Sequence, residues 1–124
     1  ESMIAANVLA IALGGAIGSL CRYFLSLLIH DKLGTAFPYG TLTINLLACL
    51  FIGMMVSFCL RHPEMPLYWK LFVITGCLGG FSTFSTFSLE AFELLAQQTL
   101  SGFLYLALSI MGGLAMVAFG MHIF

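Results

Sequence analysis

The stretch "GCLGGFSTFSTFS", Gly76–Ser88, decides how this chain folds. It lies inside an apolar run, yet it sets three phenylalanines, Phe81, Phe84 and Phe87, in step with the hydroxyls of Ser82, Thr83, Ser85, Thr86 and Ser88. At about 100° per residue, a three-residue repeat steps back by about 60° each time, so rings and hydroxyls together wrap most of a helix circumference. A continuous helix could not turn all of those hydroxyls toward protein. Gly76, Gly79 and Gly80 precede the ladder, and glycine in a helix interior costs about 1 kcal/mol relative to alanine. The sequence therefore predicts a helix broken near 76–82. Unwound backbone at membrane depth is tolerated only where it is buried in protein or lines a cavity, and its free carbonyls suit a hard monovalent cation. The N-terminus of the resumed half-helix offers N–H donors to an anion.

The surroundings require a membrane. Of the 124 residues, 61% are hydrophobic and 7% charged, with a mean hydropathy of +1.11, which leaves too little polar surface for a soluble globule. Ser2–Cys21, Leu33–Leu60, Leu71–Leu89 and Leu94–Phe124 carry no charge. Each run reaches the roughly 18–20 residues that cross about 30 Å of hydrocarbon, so the fold class is an all-α membrane protein of four spans. The first run lacks a basic leader and is expected to be a retained span rather than a signal peptide. Cys21, Cys49, Cys59 and Cys77 show no CxxC spacing and read as small hydrophobic residues.

Helices are expected at about 7–29, 40–60, 68–96 with the break, and 101–123, forming a single domain. Gly14 and Gly18 make a GxxxG that permits close helix approach. "HDKLGT", the Pro38–Gly40 break and "RHPEMP" separate the spans. Tyr68, Trp69 and Lys70 mark an interface. With both termini on one face, that face holds Arg61 and Lys70, against Lys32 and Arg22 on the other. The positive-inside rule finds almost no excess. A chain that inserts both ways can form an antiparallel homodimer, which supplies by assembly the inverted symmetry that larger transporters build into one chain. Orientation set by a partner or by an untypical rule is the alternative.

Polar groups within spans are candidates for function. Arg22 lies about 10 Å from the predicted end of its helix, within reach of snorkelling, or at the mouth of an anion path. Asn45 follows Thr41 by one turn and is either glue between helices or a donor to a permeant ion. Ser101, Tyr105 and Ser109 recur at i, i+4, i+8 as a hydroxyl stripe. The phenylalanine rings either pack or turn positive edges toward a small anion.

"GGAIGSLCRY" (Gly14–Tyr23), "PYGTLTIN" (Pro38–Asn45) and "WKLFVITGCLGGFSTFSTFSLE" (Trp69–Glu90), with the four-span layout, resemble the Fluc family of fluoride channels, also called CrcB proteins. The resemblance covers nearly the whole chain, and the ladder is its most specific part. It implies a dual-topology antiparallel homodimer in the bacterial inner cell membrane, with two pores that passively export fluoride from the cytoplasm and reduce its toxicity. It further implies a structural sodium ion at the dimer centre, held by the backbone carbonyls of Gly79 and Ser82 from both subunits. Phe84 and Phe87 correspond to the family's aromatic box, Asn45 to its pore asparagine and Arg22 to its basic residue. Ser85 and Thr86 match hydroxyls beside the box, and Tyr105 with Ser109 continues the polar track. Phe81 falls where the family accepts other apolar residues and is assigned to packing. Glu90 matches the acidic residue that ends the motif.

Fluoride is strongly hydrated, so a pore must replace its water with donors without holding it too tightly. The expected path runs from Arg22 and Asn45 to the phenyl edges and neighbouring hydroxyls. The alternative is a dual-topology exporter of cationic drugs, resembling the small multidrug resistance family. Such a pump needs a membrane carboxylate, and Glu90 and Glu93 occur only at the end of the third span. A non-transporting assembly subunit explains the small residues but not the break. No nucleophile, base and acid recur together and no zinc spacing appears, so an enzyme is not expected. Four dispersed basic residues do not form a nucleic-acid surface.

Overall fold

Among residues 2–124, which a computed structural model describes, four helical passages are each long and apolar enough to cross a membrane. The first is α1 (Ser2–Leu33) and the second is α2 (Tyr39–Arg61). The third, Leu67–Gln97, is composite: α3 (Leu67–Lys70), a π-helical stretch (Leu71–Leu78), α4 (Gly79–Phe81) and α5 (Phe84–Gln97). The fourth is α6 (Thr99–Ile123).

α1 outruns its expected end because His30–Leu33 stay helical, and the helix stops at Gly34 instead. Gly34 has φ +78° and donates its N–H to the His30 carbonyl at 2.9 Å, a left-handed cap that glycine adopts without a Cβ penalty. α2 follows Pro38, where a missing N–H costs a helix start nothing. Between α2 and α3, the Glu64 carboxyl is held below its usual range, mainly by its own backbone N–H; desolvation opposes this and His62 assists it. A single non-helical residue, Gln98, joins α5 to α6.

Small residues set the packing. α1 crosses the third passage at Gly14 and Gly18: a Cβ on Gly14 would lie 2.9 Å from Gly76 Cα, and one on Gly18 would collide with the Cys77 carbonyl. Gly80 presses on α1 in turn, where a Cβ would meet the Gly15 carbonyl at 2.7 Å. α2 and α6 make the most extensive helix pair, crossing where a Cβ on Gly53 or Gly120 would strike the opposite backbone. Without a hydrophobic drive between helices in lipid, such close backbone approach is what binds spans together.

This corrects the expected role of the glycines in the break. Gly76, Gly79 and Gly80 remain helical, and the chain leaves the helix only at Ser82 (φ −83°, ψ 160°) and Thr83 (φ −152°, ψ 117°). Gly76 and Gly80 serve the α1 crossing, and the interruption comes after them. Two buried clusters flank it: Ile44, Ala48 and Phe81 on one side, and Phe87, Ala91, Leu94 and Tyr105 on the other. Phe81 is thus a core side chain.

Candidate functional site

Two extended residues in mid-span leave backbone groups that lipid cannot satisfy, and one side chain takes them over. Asn45 Nδ2 donates to the Thr83 carbonyl at 3.1 Å, and Thr83 N–H donates to Asn45 Oδ1 at 3.0 Å. The amide thereby stands in for a strand partner across the break. One Nδ2 hydrogen remains for another acceptor. Thr83 is also the N-cap of α5, its Oγ1 accepting from Thr86 N–H at 3.3 Å. Ser82 Oγ donates back to the Leu78 carbonyl at 2.9 Å.

These bonds release two carbonyls. In a regular helix the Thr83 N–H would serve Gly79 and the Thr86 N–H would serve Ser82. Asn45 Oδ1 and Thr83 Oγ1 take both donors.

The ladder divides after the break. Phe84 is 78% exposed and Phe87 only 8%, yet their ring centroids lie 5.9 Å apart. Phe87 continues to Tyr105 at 5.2 Å, and Tyr105 meets Phe37 edge-on at 5.6 Å. Tyr105 is fully buried and its hydroxyl donates to Glu90 Oε1 at 3.5 Å. One turn along α6, Ser109 Oγ is buried without a hydrogen-bond partner.

Arg22 and Thr86 lie elsewhere, lining a cavity of about 220 Å³ with Ser19, Ser26, Thr41 and Thr83. Asn45, Ser82 and Phe84 border a second cavity of about 260 Å³, which Thr83 also lines. Arg22 and Asn45 therefore face different spaces, with Thr83 common to both. Ser85 is exposed, its Oγ 3.5 Å from Thr83 Oγ1. Among the described residues, no three His, Cys, Asp or Glu stand where they could hold a metal ion.

The family described as "CrcB-like protein, Camphor Resistance (CrcB)" matches residues 9–121. The chain belongs to the CrcB family. Its CrcB relatives include the "Fluoride-specific ion channel FluC" of Chloroflexus aurantiacus, 45% identical over 92% of this chain and 91% of the relative. The protein of that name from Desulfotalea psychrophila is 48% identical over 94% and 91%, and that of a Geobacter species 49% identical over 73% of each.

Within this CrcB chain, sequence reasoning left Thr83 without a site role, although it holds the junction. A threonine three residues before the next backbone donor in need is an N-cap signature, and that signal was available. Thr41, buried at 7% exposure beside the Arg22 cavity, carried no signal beyond its one-turn spacing from Asn45. Thr83→Val removes the cap and is expected to destabilise the fold by about 1 kcal/mol. Thr83→Ser keeps the oxygen and the stability, as thermal unfolding in detergent will measure.

Proposed function

We propose that this protein is a fluoride-selective channel that passively exports fluoride from the cytoplasm across the bacterial inner membrane. It acts as a dual-topology antiparallel homodimer with two pores and a central structural sodium ion. The observation that carries this reading is the mid-span junction, where unwound backbone leads directly into the Phe84–Phe87 ring pair. The names of its relatives support the choice of ion.

Each part of the path follows from chemistry. Arg22 supplies positive charge in a hydroxyl-lined cavity and concentrates anions there. Thr86 and Ser85, at the start of α5, offer hydroxyl donors near a helix N-terminus, where partial positive charge favours an anion. The ring edges of Phe84 and Phe87 replace part of the hydration shell while keeping the passage narrow. The unpartnered Ser109 hydroxyl continues the donors along α6, and Tyr105 lines the same track with its ring against Phe87, its O–H held by Glu90. The remaining Asn45 N–H is a further donor beside Phe84.

The donor set also suits sodium. The Gly79 and Ser82 carbonyls, whose helical donors are diverted, would supply two hard oxygen ligands from each chain. When bound, the ion would contribute a fixed positive charge beside the junction. Dimerisation is supported by the outer face of α5: Phe84, Ser88 and Phe92 are exposed on the single chain, and a serine hydroxyl facing lipid is unfavourable. The balanced basic residues support insertion in both orientations.

A fluoride electrode recording efflux from proteoliposomes tests the function. Fluoride leaves and chloride stays; no fluoride efflux overturns the reading. In the same assay Phe84→Ala and Phe87→Ala each slow fluoride at least about tenfold, the loss of about 1.4 kcal/mol of barrier stabilisation. Unchanged flux in both variants removes the rings from the path.

A further inference from the structure

The loop end of α2 gathers soft donors that the fluoride path does not use. Met55 and Cys59 stand at i and i+4 on one face of α2, and His62 is the residue just past its end. After Pro63 the chain folds back and brings the Met65 thioether to the Cys59 thiol, Sγ to Sδ 3.9 Å. Met55, His62 and Met65 line an open cavity of about 370 Å³, with Trp69 as part of its wall. The His62 ring meets Glu64 Oε1 through Nδ1 at 3.4 Å, which leaves Nε2 for another partner.

The separation of the two sulfurs suits a shared metal ion. Two sulfurs on one tetrahedral centre, each at about 2.3 Å as in zinc–thiolate bonds, stand about 3.8 Å apart. The observed 3.9 Å is close to that spacing. Thiolate and thioether ligands select Cu(I) over hard cations, and the lack of a His, Cys, Asp or Glu triad among the described residues disfavours zinc. We propose that Cys59 and Met65, with Met55 and His62 completing the set, bind a soft monovalent cation, Cu(I) or Ag⁺, at this membrane face. On binding, the Cys59 thiol releases its proton to water and the thiolate sulfur forms the metal bond. No oxidation is involved. The site does not rest on the fluoride reading.

Purified protein, reduced and in detergent, is titrated with Cu(I) in competition with a chromophoric Cu(I) chelator. One Cu(I) per chain and one released proton are expected. Cys59→Ser weakens binding at least about a hundredfold, beyond what losing a group that merely orients a ligand costs. Met65→Leu, which conserves volume, weakens it about tenfold. Cys21→Ser, Cys49→Ser and Cys77→Ser leave it unchanged. Equal affinity in Cys59→Ser overturns the site. So does full binding in Met65→Leu, which would reduce it to a lone thiol, and so does Zn²⁺ bound as tightly as Cu(I).

Discussion

Fluoride efflux through Asn45→Ala falls at least about a hundredfold, and the variant unfolds at lower temperature in detergent, because one substitution strips both bonds from the Thr83 peptide. Each buried backbone group left unpaired costs about 1–3 kcal/mol. The junction then relaxes, and the Phe84–Phe87 pair loses its setting. Asn45→Asp separates the two contributions. Its oxygen still accepts from Thr83 N–H, but it turns a second, anionic oxygen toward the Thr83 carbonyl and places negative charge beside the proposed anion path. Stability is partly kept and flux is lost. Wild-type flux and stability in Asn45→Ala would show that the clamp is dispensable.

Gly18→Ala is expected to yield little folded protein. Its methyl group would fall on the Cys77 carbonyl, with Phe81 N a further 2.9 Å neighbour, and both are backbone. A flexible side chain could swing away; a helix must move as a body, so the penalty exceeds the about 1–3 kcal/mol of ordinary overpacking. Gly15→Ala is the control. Nothing lies within 4 Å of a Cβ there, and the better helix former adds up to about 1 kcal/mol of stability. Size-exclusion profiles and thermal unfolding of the two variants provide the comparison. Equal behaviour would remove the α1 crossing as the determinant of the fold.

The four passages were legible because charge-free runs of sufficient length have one stable arrangement in lipid. Their ends were less so: nothing local to "HDKL" distinguishes a turn from one more helical turn, and only the left-handed Gly34 fixes the stop. The break was legible in existence and misread in cause. Glycine serves both unwinding and close approach, and only the position of α1 against Gly76 and Gly80 shows which applies. The Asn45 clamp joins residues 38 apart in sequence, a pairing that no periodicity reveals. The aromatic and hydroxyl residues could be nominated from type and spacing, whereas the opposite exposures of Phe84 and Phe87 depend on how α5 leaves the junction.

The π-helical stretch Leu71–Leu78 acts on that exit at a distance. A π turn holds more residues than an α turn, and each extra residue changes the azimuth of everything downstream by about 100°. The bearing of every ring and hydroxyl after Gly79 is therefore dialled in upstream, before the ladder begins. Chain length in this stretch works as a phase setting: side chains there can vary within the limits of packing, but the count of residues cannot change by one without swinging Phe84 and Phe87 to a new compass point.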